Sequence, residues 1–389
     1  MAAQSISPRR AVLTLGATQT IGYACSSYLP ASLAGSMSQA IGTSTAFVFG
    51  AFSGALLIHA FVGPAAGRSV DRSGARLPLS AASIILALGL AGMAVSQAPW
   101  HLALAWLVVG LGMALGLYDI AFAGLVGWFG LDARRSITGV TLIAGFASTI
   151  AWPLTAWMDH EIGWRGACLV WAAANLLICL PLHLTLPRDA PAAVAPPEVP
   201  GSSAPENPAP VALQMVLLAT ALSVMSGIGS IMGAHLPPLL MAMGASAAAA
   251  VAAGMLVGPA QVAARFAEFV LVRRIHPLNS GRAAVVAFPI GAGLLLALGP
   301  VAAAPFAILY GAGNGLFTIV RGTLPLALFG ALNYGGRLGS LNVPARLVGA
   351  VAPLLFALAL ARSVELALGV LIAASVLAFG CLLLLRRPD

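Results

Sequence analysis

Lysine is absent from this 389-residue chain, so all 19 basic residues are arginine. Without lysine there is no phosphate-cradling P-loop, which excludes an ATP-driven permease. Charge is scarce too: 8% of residues are charged against 60% apolar, too little polar surface to cover a soluble globule. The bilayer must be the solvent. Of the four cysteines, Cys25, Cys168, Cys179 and Cys381, none forms a C-x-x-C pair and all fall in apolar runs. That reads as buried, inert thiols rather than a redox or metal pair. The runs Gly110-x-Gly112 and Gly311-x-Gly313-x-Gly315 follow no strand and lie inside apolar helices, so neither is a nucleotide loop.

What the chain has in abundance is long apolar segments. Twelve can be drawn at the length of about 20 residues that crosses ~30 Å of hydrocarbon. Segments 1 to 6 run near Ala11–Leu33, Thr43–Ala66, Pro78–Ser96, Leu102–Phe129, Ser136–Met158 and Gly166–Leu186. Segments 7 to 12 run near Val211–Leu240, Ala247–Val272, Ala284–Leu298, Val301–Leu328, Leu338–Ala361 and Leu366–Leu385. With this drawing 14 arginines fall on one side, Arg165 and Arg362 on the other, and Arg265, Arg321 and Arg346 within segments. By the positive-inside bias both termini are expected in the cytoplasm of a cell whose inner membrane the chain spans. The first segment is read as an uncleaved helix, since eleven more follow it. The formal charge of +8 is dispersed over short loops rather than gathered into a stripe, so anionic headgroups and not nucleic acid are its expected partner.

Between Pro187 and Pro210 eight of 24 residues are proline and apolar periodicity stops, which predicts a flexible cytoplasmic linker. It divides the chain into six-segment halves, 1–186 and 211–389. The halves echo each other. Gly139 and Pro153-Leu154 recur 200 positions on as Gly339 and Pro353-Leu354, and Phe129-Gly130 recurs as Phe329-Gly330. Gly22 and Leu29-Pro30 match Gly229 and Leu236-Pro237, and Gly63-Pro64-Ala65 matches Gly258-Pro259-Ala260. Internal repeats in this order are the mark of secondary transporters.

The sharpest motif follows segment 2: Gly63-Pro64-Ala65-Ala66-Gly67-Arg68-Ser69-Val70-Asp71-Arg72-Ser73-Gly74-Ala75-Arg76. Gly63 and Gly67 permit close helix packing, and Asp71 offers a membrane-edge carboxylate beside Arg68, Arg72 and Arg76. This run resembles the loop 2–3 signature of the major facilitator superfamily, in the form most like its monocarboxylate and oxalate porters. The resemblance implies an all-α membrane fold of twelve helices in two pseudo-symmetric bundles, with this loop a cytoplasmic latch for one gating state. A degraded copy follows segment 8, where Arg265-x-x-Glu268 repeats the spacing of Arg68-x-x-Asp71 ahead of Arg273 and Arg274. At i,i+3 the two are expected to pair as a second latch. Two departures stand out. Ala151-Trp152-Pro153-Leu154-Thr155-Ala156 lacks the Gly-rich ending of the family's antiporter signature, and segment 4 lacks the arginine found between Leu102 and Leu115 in many proton-coupled members.

Ionisable groups inside hydrocarbon are costly and mark function by default. Here they are His59, Asp119, His235, Arg265, Glu268, Arg321 and Arg346. Tyr310, Asn314, Thr318 and Arg321 share one face of segment 10, and Gln19 and Tyr23 share one of segment 1. Segments 1, 4, 7 and 10 line the cavity in the resembled fold, so these residues are expected at the substrate. Arg321 and Arg346 are expected to recognise an anion, with Asp119 their gate partner or proton-sensitive competitor. Gating is expected of Asp119, Gly67, Arg68, Asp71, Arg72, Arg265 and Glu268. His59 and His235 read as hydrogen-bonded neutral groups. The function expected is alternating-access transport of a small organic solute, a carboxylate or other organic anion, by a monomer coupled to protons or a counter-anion. No cofactor or metal is expected. Efflux of a drug or a metalloid, with Cys25 as a contact, is the alternative; an intramembrane enzyme would need a nucleophile and base at workable spacing, which the sequence does not offer.

Overall fold

The computed structural model describes residues 6–188, 208–271 and 275–386. Residues 189–207 of the expected linker lie outside the described residues, as do Arg273, Arg274 and Arg387. The described chain is helical, with no strand. Its helices are α1 (Pro8–Ala24), α2 (Leu29–Ile41), α3 (Thr45–Ser73), α4 (Arg76–Ala94), α5 (Pro99–Gly116), α6 (Tyr118–Phe129), α7 (Ala133–Ala144), α8 (Ala147–Ala174) and α9 (Leu180–Leu184). After the linker come α10 (Pro208–Ala242), α11 (Ala247–Met255), α12 (Val257–Leu271), α13 (Pro277–Leu298), α14 (Ala303–Phe329), α15 (Tyr334–Leu360) and α16 (Val364–Leu384). Each of the twelve drawn segments overlaps described helix. Because α10 starts at Pro208, the last three residues drawn as linker are already helical; proline suits a first helical turn, where its missing N–H costs nothing.

Among the described residues, eight helical stretches are long and apolar enough to cross a membrane. One of them, Pro99–Leu184, holds 86 residues. At 1.5 Å per residue that is roughly 130 Å of helix, so it must cross several times. Outward-facing Leu88, Leu177 and Val301, 63%, 76% and 83% exposed, suit lipid contact.

The structure corrects several boundaries, each for a local reason. Segment 1 is two helices, because the Cys25–Tyr28 turn intervenes before Pro30 opens α2. Segment 4 breaks at Leu117, whose extended backbone (φ −87°, ψ −172°) separates α5 from α6. Segment 5 begins in α7, breaks at Gly145–Phe146 and continues in α8, which runs on past Gly163 (φ 73°) into segment 6 and is followed by a π-helical turn at Asn175–Cys179 and by α9. The signature read as a loop is helical as far as Ser73, and only Gly74 (φ 80°) stops it. Asp71 and Arg72 therefore occupy the last turn of α3.

The chain divides into two compact units, Met1–Ala193 with Phe329–Ser340, and Val194–Leu328 with Leu341–Asp389. In the first, α5 lies backbone-close on both neighbours. A Cβ on Gly110 would meet the Ala55 carbonyl oxygen of α3 at 2.4 Å, and one on Gly112 would meet Leu86 of α4 at 2.7 Å. In the second, a Cβ on Gly311 of α14 would meet the Val257 oxygen of α12 at 2.6 Å, and one on Gly313 the Ala284 oxygen of α13 at 2.7 Å. Segment 4 against 2 and 3 is thus packed as segment 10 is against 8 and 9. Van der Waals contact is what holds helices together in lipid, and small residues permit it. A second likeness joins the units internally. Arg76 at the start of α4 donates to the Leu186 carbonyl after α9 (3.4 Å), and Arg282 in the first turns of α13 donates twice to the Leu382 carbonyl near the end of α16 (3.2 and 3.1 Å). Each guanidinium caps carbonyls that a helix end leaves without partners.

Candidate functional site

Several features of the fold carry polar chemistry. The first joins the end of α3 to the start of α15, all within the first unit. Asp71 Oδ1 accepts from the Gly335 N–H at 2.8 Å and Oδ2 from the Gly336 N–H at 2.7 Å. These are N–H groups that the opening turn of α15 cannot satisfy itself, and the helix dipole favours a carboxylate there. The approach depends on glycine. A Cβ on Gly67 would sit 2.0 Å from the Gly335 oxygen, and one on Gly339 would sit 2.8 Å from the Gly63 oxygen. Arg68 and Arg72 point to the exposed side. Gly67 and Asp71 are thus brought together with a backbone that the sequence did not name as their partner.

The second feature lies in the second unit, around α12 and α14. Arg265 is 5% exposed and Glu268 4%, but the pairing expected from their i,i+3 spacing is not made. Arg265 Nη2 instead donates to Gln261 Oε1 (3.1 Å) and Thr318 Oγ1 (3.3 Å), while Glu268 Oε2 accepts from Ser280 (2.8 Å). Gln261, one turn back, and Thr318 across the helix contact outcompete the neighbouring carboxylate. Arg265 Nε and Nη1 are buried with no hydrogen-bond partner.

The predicted face of α14 is used piecemeal. Tyr310 donates its hydroxyl to the Gly229 carbonyl at 3.5 Å, Thr318 donates to Asn314 O at 3.0 Å, and a Cβ on Gly229 would meet Asn314 Oδ1 at 3.5 Å. Arg321 Nε donates to Asn342 Oδ1 at 2.8 Å. Arg346 is half-buried on α15.

The remaining features, apart from His235, belong to the first unit. Gln19 Nε2 donates to the Gly116 carbonyl at 2.7 Å, where the break at Leu117 leaves that oxygen without a helical donor. Tyr23, one turn along α1, lies 4.7 Å from the Tyr118 ring. Asp119 is 5% exposed in the first turn of α6. Asp119 belongs to the first unit, Arg321 and Arg346 to the second. Cys25 is fully buried; its sulfur accepts from Asn175 Nδ2 at 3.3 Å and donates to Gly22 O at 3.4 Å, so it is tied into the helix 1 break. His235 Nε2 lies 3.1 Å from the Pro353 carbonyl, and His59 is buried on α3. Among the described residues no group of His, Cys, Asp and Glu could hold a metal ion.

Sequence reasoning passed over Asn342, Gln261, Asn175 and His183. Asn342 is fully buried, and His183 Nδ1 sits 2.9 Å from Ser83 Oγ with Nε2 lacking a partner. The signal for Asn342 and Asn175 was available, as an amide in an otherwise apolar helix needs an interhelical partner.

A described chain that is helical throughout, crosses the bilayer several times and folds as two compact units is a polytopic membrane protein. The sequence pattern that defines the Major Facilitator Superfamily matches residues 15–331, and the chain belongs to that family of transporters. Solved structures share its fold. The proton:xylose symporter XylE superposes with a TM-score of 0.75 at 13% identity, covering 96% of this chain and 94% of that one. The E. coli fucose:proton symporter FucP gives 0.74 at 14% identity, with 97% and 98% covered. The human organic anion transporter MFSD10 gives 0.70 at 16% identity, with 97% and 100% covered. An uncharacterized 38 kDa protein in the 23S RNA operon of Thermoproteus tenax is 35% identical over 132 residues, 33% of this chain. The match spans about a third of that relative's length, 34%.

Proposed function

We propose that this protein is a secondary transporter of small organic anions, carboxylates foremost, working by alternating access and coupled to protons or a counter-anion. It acts as a monomer in the inner membrane with both termini cytoplasmic. The observation that carries the anion assignment is Arg265. A guanidinium dried out with Nε and Nη1 unpaired costs several kcal/mol unless an acceptor arrives, and a carboxylate is the acceptor that suits guanidinium geometry. Gln261 and Thr318 hold the group in place through Nη2 alone, which leaves the other nitrogens for a ligand. Arg321 has its Nε committed to Asn342, so Arg265 takes precedence over it as the anion receptor. The fold is shared by sugar symporters and by an organic anion transporter, and it is the buried guanidinium rather than the likeness that favours anions.

The test is thermal shift on purified protein in nanodiscs with short mono- and dicarboxylates and with neutral sugars. A ligand at 100 times its Kd stabilises by about 2.7 kcal/mol, well within detection. Carboxylates should raise the melting temperature, Arg265→Gln should lose that rise, and Arg321→Gln should melt lower while keeping it. Uptake of the stabilising solute into vesicles without ATP follows. A shift from sugars and none from carboxylates would overturn the reading; loss of the carboxylate shift in Arg321→Gln alone would move the receptor to Arg321.

A further inference from the structure

We infer that the first unit carries a subsite for a protonated primary amine, built from Gln19, Tyr23 and Tyr118 at the break between α5 and α6. The inference rests on the reading of the protein as a transporter of organic solutes, and it names a second chemical group that the protein recognises. Gln19 is 1% exposed. Its amide orientation is fixed, because Nε2 must face the Gly116 carbonyl to which it donates at 2.7 Å. That leaves Oε1 as a buried acceptor, and it has no donor. Buried polar atoms are nearly always satisfied, so an orphan on a fixed amide points to a partner supplied from outside.

The surroundings say which kind of donor. The chain has five tyrosines, and three of them, Tyr23, Tyr28 and Tyr118, form one line of rings that reaches the turn just after Gly116, whose carbonyl Gln19 holds. Tyr23 and Tyr118 lie 4.7 Å apart, Tyr118 stacks on Phe122 at 5.0 Å, Tyr23 is 6.4 Å from Tyr28, and Tyr28 meets Trp152 edge-on at 5.8 Å. Gln19 and Tyr23 are four apart on α1, hence on one face. Asp119, buried one residue beyond Tyr118, adds a carboxylate to the same turn. Ring faces and acceptor oxygens attract positive charge and repel an anion. A hydroxyl could satisfy Gln19 but gains nothing from the rings. A quaternary ammonium gains from the rings but offers Gln19 no N–H. Only an ammonium that keeps its N–H groups uses both.

The experiment measures binding to the full chain in nanodiscs by thermal shift and tryptophan fluorescence, with butylammonium, butyltrimethylammonium, butanol and butyrate in parallel. Butylammonium should bind about tenfold or more tighter than its trimethylated form, the factor expected when a hydrogen bond to a charged group is lost. Gln19→Leu should abolish that preference, and Tyr23→Leu should weaken both cations without affecting butanol. Should Gln19→Leu not fold, because Gly116 loses its donor, the Tyr23→Leu comparison still decides. Butylammonium binding no tighter than butanol, or a preference that survives Gln19→Leu, overturns the inference. Butyrate binding without amine binding defeats this subsite and leaves the anion reading standing; amine binding without butyrate does the reverse.

Discussion

Asp71→Asn should slow transport without changing what is transported. The carboxylate accepts two backbone N–H bonds, at 2.8 and 2.7 Å, from the first turn of α15. Bonds to a charged acceptor contribute about 1.5–3 kcal/mol each, and the dipole of the helix adds roughly 0.5 kcal/mol in a partly exposed setting. Asparagine keeps one acceptor but turns an NH2 toward the other N–H, so one bond becomes a donor–donor contact. Discounting for partial exposure, the loss is about 2–3 kcal/mol, or a factor of roughly 30 to 150 in the population of the latched state. Asp71→Glu should fare no better, since an added methylene carries the carboxylate past the two N–H groups it now meets. Initial rates of uptake into vesicles over a range of solute concentrations are the assay. A lower maximal rate with unchanged ranking of solutes is expected, together with a lower melting temperature. An unchanged maximal rate with a raised KM would refute the latch.

Gly311→Ala should cost several degrees of melting temperature, because its Cβ would sit 2.6 Å from the Val257 oxygen, whereas Gly293→Ala, with nothing within 4 Å, should be neutral or raise stability by up to about 1 kcal/mol through helix propensity. Equal effects at the two sites, read by thermal melts in the same detergent, would contradict the packing of α14 on α12. Reporter fusions after Arg188 and at the C-terminus should both report the cytoplasm, as the 14-to-2 distribution of arginines requires. A single external signal would dismiss the orientation.

Much of the architecture could be read from the chain because hydrocarbon permits so few backbone solutions. Apolar length alone placed each of the twelve segments on helix, and Gly63 and Gly67 of the signature anticipated a close helix contact. Breaks within a helix were harder. Leu117 is an ordinary apolar residue, and nothing in its identity marks an extended backbone between two helices. The partners of the arginines were harder still. An i,i+3 spacing makes an Arg265–Glu268 pair possible, but Gln261 and Ser280 compete, and which wins depends on the packing of α12 against α13 and α14. The signature at the end of α3 shows the division well: Gly67 was legible as a close-packing position and Asp71 as a carboxylate among arginines, but that Asp71 binds the backbone of Gly335 and Gly336, some 265 residues on, was not.

The glycine contacts inside each unit have a mechanical consequence. Where backbone rests on backbone, as Gly110 does on Ala55 and Gly311 on Val257, there is no side-chain torsion to rotate and so no graded way for the helices to yield. Such seams behave as welds. Bending in the first unit is left to the places where the helical ladder is already open, among them the Cys25–Tyr28 turn, the Leu117 break and Gly163, which makes such short stretches its flexures.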